Sequence, residues 1–117
     1  MIDRRWRPPL LWAAVMLVLT SVPVPTVSAP ERTDLVVHVV IYGIFGFLLA
    51  RAAATSRPRM LLLLALGASL WGALDEFHQR FIPGRSASVD DWAADSIGAA
   101  LGVLAYATAR RRRESLT

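Results

Sequence analysis

Four apolar segments, separated by short polar or proline-containing segments, run along this chain. Their uncharged cores extend over residues 8–30, 35–50, 60–74 and, with one aspartate inside it, 92–109. A helix that spans a membrane needs about 20 predominantly apolar residues. The first segment is long enough, although Pro23 and Pro25 should end its helix early. The other three reach spanning length when the helix ends include the acidic residues Asp34, Asp75, Glu76 and Asp95.

This pattern predicts an all-α protein, an integral membrane four-helix bundle that forms a single domain over residues 1–117. We expect its helices at approximately 9–23, 34–54, 60–79 and 90–109. The composition supports this class, because 55% of the residues are hydrophobic and the mean hydropathy is +0.44, whereas soluble domains are about 45–50% apolar. The chain has no cysteine, which excludes disulfides and thiolate chemistry.

The positions of the arginines predict the orientation in the membrane. All 13 basic residues are arginines, and most of them precede the first segment, separate the second from the third, or follow the fourth. These positions share one side of a four-pass protein, and the positive-inside rule makes that side cytoplasmic. Both termini are therefore expected in the cytoplasm.

Two alternative interpretations concern the basic ends of the chain. The N-terminus, arginine-rich and then apolar up to "VSAP", resembles a signal peptide cleaved after Ala29, but Pro30 directly after that bond argues against cleavage. The net charge of +4 and the pI near 11.0 would suggest nucleic acid in a soluble protein. Four arginines directly after a hydrophobic helix are instead typical of an anchor against anionic lipid. The expected partner is thus the lipid bilayer, and no nucleic-acid partner is expected.

Polar and small residues recur at helical spacing in three of the segments. Each of these stripes has its polar members at the end that should face outside. The stripes are Asp34, His38, Tyr42 and Gly46; Ala65, Ser69, Gly72, Glu76 and Gln79; and Asp91, Asp95, Gly98, Gly102, Ala105 and Ala109. Small residues allow helices to pack closely in lipid, so the stripes should face the bundle interior. Asp75 and His78 lie on a neighbouring stripe and are expected at the membrane interface.

The outer ends of the three stripes form a candidate polar site. An ionisable residue inside the bilayer costs about 2.5–3.5 kcal/mol on insertion scales, so such residues are usually paired and functional. We expect Arg85 to fold back from the turn at "IPGR" and to pair with Glu76, Asp91 or Asp95. His38 is the other available partner.

Three motifs stand at these positions. They are D-x-x-x-H-x-x-x-Y at Asp34, His38 and Tyr42, E-x-x-Q-x-x-x-P-G-R at Glu76, Gln79, Pro83, Gly84 and Arg85, and D-x-x-x-D-x-x-G at Asp91, Asp95 and Gly98. Together they resemble the VanZ-like family, small bacterial membrane proteins named for a member of a glycopeptide-resistance cluster associated with teicoplanin resistance. The resemblance covers nearly the whole chain and implies a multi-pass protein of the bacterial plasma membrane. Two positions depart from the family pattern: Leu35 stands where a lysine often follows the aspartate, and Asp95 stands where asparagine is common.

The resemblance implies no defined reaction, and three classes of function stay open. The first is an envelope protein whose outer polar site binds a lipid headgroup or a cell-wall precursor, with teicoplanin resistance as the linked phenotype. The second is an intramembrane enzyme for a lipid-linked substrate, with Glu76 or Asp95 as general base and His38 as its partner. In that class Asp91, Asp95 and Glu76 could instead hold a hard divalent cation. The third class is a structural clasp of the helix ends. The sequence assigns no catalytic residue, no resident metal and no cofactor, because it contains no nucleophile motif and no metal-ligand spacing.

Overall fold

The computed structural model describes residues 3–21, 33–82 and 89–116. Within these ranges the chain forms four α-helices, a short 3-10 helix at Arg4–Trp6 and no strand, which confirms the all-α prediction. The α-helices are α1 (Arg7–Ser21), α2 (Thr33–Ala53), α3 (Pro58–Gln79) and α4 (Val89–Leu116). Two of them are long and apolar enough to cross a membrane, α2 over Leu35–Ala53 and α3 over its full length.

The helix ends follow from local chemistry, and α4 is longer than expected. Ala54 has a left-handed φ of 52°, which ends α2. Pro58 lies in the first turn of α3, where its missing N–H removes no helical hydrogen bond. Helix α4 continues past residue 109 and through the four arginines. There Arg110 Nε donates to Glu114 Oε1 at 3.1 Å, one turn further on, a pairing that stabilises an exposed helix.

Helices α2 and α4 run parallel and come together at glycines. A Cβ atom on Gly98 would lie 2.9 Å from Val39 Cα, and one on Gly102 would lie 2.8 Å from Phe47 N. Both distances are shorter than a carbon atom tolerates, so only glycine fits at these two positions. The close approach of the two backbones is the packing that small residues provide in helical membrane proteins.

Helix α3 runs antiparallel to α4 along its other side. Ser69 Oγ and Ser96 Oγ form a hydrogen bond of 2.7 Å. Nearer the start of α3, Leu61 packs in one apolar cluster with Val103. Later residues of α3 therefore contact earlier residues of α4. This is the antiparallel arrangement that a short connection between neighbouring helices requires.

Helix α1 packs against the middle of α2. Trp12 Nε1 donates to the backbone oxygen of Ile41 at 3.0 Å, which satisfies the indole N–H away from water. Met16 is buried in the same apolar cluster as Tyr42 and Phe45. This contact covers one side of α2 next to its polar end.

The outward faces of α2 and α3 are apolar. Their exposed residues recur at helical spacing, as on a helix whose surroundings are not water. These residues are Val36, Val40, Ile44 and Phe47 on α2, and Leu62, Leu66, Leu70 and Leu74 on α3. Contiguous exposed apolar surface of this kind marks a contact with a membrane or a protein.

The predicted small-residue stripe of α4 faces inward only in its first half. Its two glycines are buried, whereas Ala105 and Ala109 are exposed. The buried residues at that level are Val103 and Ala107, because both pack against Leu61 of α3. The second half of α4 therefore turns a different face toward the bundle than the stripe predicts.

We expect Gly102→Ala to destabilise the protein by about 1–3 kcal/mol, because the added methyl group forces the backbones of α2 and α4 apart. Gly67→Ala is the matched control, since a Cβ atom there meets nothing within 4 Å. Removing this glycine should stabilise α3 by about 0.5–1 kcal/mol. Thermal unfolding of the purified variants in detergent measures both changes, and equal unfolding temperatures would contradict the glycine contact.

Candidate functional site

The polar ends of α2, α3 and α4 meet at one end of the bundle. His38 comes from α2, Glu76 from α3, and Asp91 and Asp95 from α4; we call these four residues the polar cluster. His38 Nδ1 and Asp95 Oδ1 lie 2.5 Å apart, and the two side chains are 19% and 1% exposed. This pair joins α2 to α4, and of the two carboxylates that the sequence offered as partners of His38, Glu76 and Asp95, it is Asp95 that lies within hydrogen-bonding distance.

Asp95 reaches the centre of the bundle because its neighbours leave room for it. A Cβ atom on Gly72 of α3 would lie 3.0 Å from Asp95 Oδ2 and 3.2 Å from Asp95 Cβ. On α4, Asp95 precedes Gly98 by one turn, and the contact of Gly98 with Val39 brings α2, and His38 with it, close to the carboxylate. Asp95 is fully buried, and its Oδ2 has no hydrogen-bond partner within the part of the chain that the structure describes.

Glu76 and Asp91 face the same histidine. One possible ligand atom from each of His38, Glu76 and Asp91 lies within 4.8 Å of the other two. Glu76 is buried, whereas His38 and Asp91 are half-buried, so the group can be reached from the end of the bundle. An imidazole and two carboxylates at this spacing can accept hydrogen bonds and can coordinate a divalent ion.

Tyr42 and Asp75 lie next to the polar cluster. Tyr42 is 2% exposed, and its ring packs edge-on against Phe45 with centroids 6.1 Å apart. The Tyr42 side chain lies in the electric field of Asp95, Asp75 and Glu76. From the sequence alone, Tyr42 could equally lie at the membrane interface. In the structure it lines the buried side of the site.

Asp75, which is expected at the membrane interface together with His78, is only 6% exposed, so its side chain is buried among the helices. Its neighbour in that expectation, His78, is half-buried. A signal for Asp75 was present in the sequence. Ala68, Gly72, Asp75 and Gln79 follow one another at intervals of four, three and four, and all four are buried. This stripe runs beside the predicted one and continues to the same end of the bundle.

Three predicted site residues remain to be located. Gln79, the last residue of α3, is 4% exposed and lies on the buried face next to the polar cluster. Asp34 belongs to the first turn of α2, but its side chain lies outside the described residues. Arg85 and the turn that contains it also lie outside them, so the pairing of Arg85 with a carboxylate stays a prediction.

Two further contacts hold α3 and α4 together beside Asp95. Trp92 Nε1 donates to the backbone oxygen of Ser69 at 3.0 Å. The hydroxyl of Ser69 is hydrogen-bonded to that of Ser96, which in turn donates to the backbone oxygen of Trp92 at 3.0 Å. Because Trp92 and Ser96 lie three residues before and one residue after Asp95, these bonds fix the side from which α3 can contribute to the site.

The contact between Asp95 and His38 resembles the support of a general base. Asp95 orients His38 as the third group of a catalytic triad orients its base. His38 Nδ1 is hydrogen-bonded to Asp95, and the hydroxyls of Ser69 and Ser96 bond to each other. A histidine held in this way could act as a general base toward water or a bound ligand.

A comparison with known proteins agrees with the three motifs. The family model described as VanZ/LLP1 matches residues 9–110, a range that contains the whole polar cluster. No curated protein and no solved structure matches the chain. The family match covers most of the 117 residues, and the chain therefore belongs to the VanZ/LLP1 family.

Proposed function

We propose that this VanZ-type protein crosses the bacterial plasma membrane four times, with both termini in the cytoplasm, and binds the headgroup of a membrane lipid or of a lipid-linked cell-wall precursor. The observation that carries the proposal is the buried pair of His38 and Asp95, with Glu76 and Asp91 beside it, at one end of an otherwise apolar bundle. A polar site in such surroundings is a functional site by default.

The orientation is supported by the arginines, because most of the described ones lie at the opposite end of the bundle. Arg111 Nη2 donates to the backbone oxygen of Ser56 at 3.0 Å, so the C-terminal arginines lie beside the connection between α2 and α3. Arg51 and Arg57 flank that connection. Arginines are retained on the cytoplasmic side and are attracted to its anionic lipids. The polar cluster then faces the outside of the cell.

The depth of the polar cluster fits the outer edge of the hydrocarbon layer. His38 on α2, Glu76 on α3 and Asp95 on α4 each lie about 20–26 Å from an arginine at the other end of the same helix. This distance follows from a rise of 1.5 Å per residue. The hydrocarbon core of a bilayer is about 30 Å thick. With the arginines at the cytoplasmic interface, the polar cluster lies just below the outer interface.

A ligand at this depth has a polar group attached to an apolar chain. Membrane lipids and lipid-linked cell-wall precursors both carry phosphate at that junction, and their chains can lie against the exposed leucines of α3. Because His38 and Asp91 are half-buried, such a group can reach them from the outer leaflet. The shared chemistry of the two ligand sources is a phosphate group held at the interface.

An intramembrane enzyme is the second candidate, and the contact between Asp95 and His38 is the observation that favours it. A carboxylate that orients an imidazole is the usual support of a general base. This base would activate water to attack the terminal phosphorus of a polyprenyl pyrophosphate, which breaks the phosphoanhydride bond and releases polyprenyl phosphate and inorganic phosphate. Conversion of a radiolabelled polyprenyl pyrophosphate by the purified protein, lost in His38→Gln, would select the enzyme over the binding protein.

Asp95→Asn should lower headgroup binding about 3- to 10-fold, because it weakens the hydrogen bond that orients His38. Asp90→Asn is the matched control, since Asp90 is exposed on the same helix. The measurement is crosslinking of the protein, in nanodiscs, to photoactivatable phosphatidylglycerol and to a photoactivatable polyprenyl pyrophosphate. The more strongly crosslinked probe identifies the ligand source. If Asp95→Asn is crosslinked to both probes as strongly as the wild type, the polar cluster does not bind the headgroup.

Glu76→Ala and Asp95→Ala should each abolish the effect of the wild-type chain on teicoplanin susceptibility. The double variant should be little worse than either single variant, because residues that act together are not additive. The inhibitory concentration for cells with equal membrane levels of each variant is the readout. Full activity of either single variant would leave the polar cluster as a helix-end clasp.

Cysteines introduced at Thr26 and Ser86 should react with an impermeant thiol reagent in intact cells, and a cysteine at Ser56 should not. The chain is free of cysteine, so each variant reports a single position. Ser56 contacts Arg111 through its backbone oxygen, so the substitution leaves that contact in place. Labelling at Ser56 alone would reverse the proposed orientation.

A further inference from the structure

We infer that the polar cluster binds a divalent transition-metal ion of the Zn²⁺ class, with His38, Glu76 and Asp91 as ligands and Asp95 as the group that orients the histidine. This inference deepens the proposed function and rests on it, since the same residues form the binding site. It explains how carboxylates can receive a phosphate, which they would otherwise repel.

The first support is the orientation of His38. Its Nδ1 lies 2.5 Å from Asp95 Oδ1, so the pair uses Nδ1 and leaves Nε2 as the ring nitrogen for a metal ion. Histidines that bind metals almost always donate their other ring N–H to a carboxylate or carbonyl, which fixes the ring and raises its basicity. The His38–Asp95 pair has this arrangement.

The second support is the spacing of the ligand atoms. The ligand atoms of His38, Glu76 and Asp91 lie within 4.8 Å of one another. Around a tetrahedral ion with bonds of about 2.0–2.2 Å, ligand atoms are about 3.3 Å apart. A side-chain rotation that closes the group by about 1.5 Å would complete the site.

The third support is independent of the ligands themselves. Asp95 is 0% exposed, and its Oδ2 has no hydrogen-bond partner in the described ranges of the chain. Burial of a carboxylate with an unsatisfied oxygen is strongly unfavourable. A metal ion on the far side of the imidazole would polarise the ring toward Asp95 and offset the cost of this buried charge.

The donor set selects the kind of ion. One imidazole and two carboxylates suit Zn²⁺ and similar transition metals, whereas Mg²⁺ and Ca²⁺ prefer oxygen ligands alone. Three protein ligands leave a coordination position open, as in catalytic rather than structural zinc sites. A phosphate oxygen of a lipid headgroup would take that position from the outer leaflet.

Titration of the purified, metal-free protein in detergent with Zn²⁺, followed by calorimetry, tests this inference. The wild type should bind one equivalent. His38→Gln and Glu76→Gln should each weaken binding at least about 10-fold, and Asp95→Asn should weaken it about 10- to 100-fold although Asp95 is not a ligand. Asp90→Asn, the exposed control on the same helix, should bind as the wild type does.

Asp91→Asn guards against loss of folding, because Asp91 is half-buried at a helix start and its replacement by asparagine leaves the bundle packing intact. Circular dichroism should be unchanged, while Zn²⁺ affinity falls at least about 10-fold. Visible absorption of the Co²⁺-loaded protein gives a second readout, since its bands depend on the ligands. Absence of Zn²⁺ binding by the wild type, or equal affinity in Asp91→Asn and Asp90→Asn, would overturn the metal site.

The inference and the proposed function can fail separately. Zn²⁺ binding that depends on the three ligands, without crosslinking to either photoactivatable lipid, would uphold the metal site and reject headgroup binding. Crosslinking that persists unchanged after removal of metal by a chelator, together with no Zn²⁺ binding, would uphold headgroup binding and reject the metal site. Loss of crosslinking on chelation, with its recovery on addition of Zn²⁺, would support both.

Discussion

The backbone contact between α2 and α4 determines where the polar groups of this protein lie. Gly98 and Gly102 allow α4 to touch the backbone of α2, and the two helices run parallel from the same end of the bundle. Asp95 lies one turn before Gly98, where the two helices are so close that its carboxylate is within hydrogen-bonding distance of His38. The geometry of the site is therefore a consequence of where glycines stand in a helix, before any polar interaction contributes.

Much of this arrangement could be predicted from the sequence, because it depends on local patterns. Apolar runs bounded by charge, proline or glycine identify the helices, and the observed helix starts lie within two residues of the predicted ones. The intervals between His38 and Tyr42, and between Asp95 and Gly98, assign these residues to inward faces. Periodicity was enough here because each helix has one narrow polar stripe on an apolar surface.

Other features depend on which helix lies beside which, and periodicity does not contain that information. Asp75 and Glu76 are adjacent in sequence, and both are buried in the bundle. Ala105 and Ala109 share a stripe with Gly98 but become exposed where α4 turns Val103 toward α3. Hydrophobicity likewise does not predict that α4 continues through its arginines, since that extension is stabilised by helix propensity and side-chain pairs.

A clasp of the helix ends does not by itself account for the polar cluster. Buried ion pairs add little stability, because the cost of desolvation offsets their attraction, and apolar replacements are often as stable. The helices are already joined by the glycine contact and by the hydrogen bond between Ser69 and Ser96. Each ionised residue at bilayer depth adds a cost of about 2.5–3.5 kcal/mol. Several such groups facing one another, with His38 and Asp91 still accessible from the end of the bundle, are better explained by a ligand that uses them.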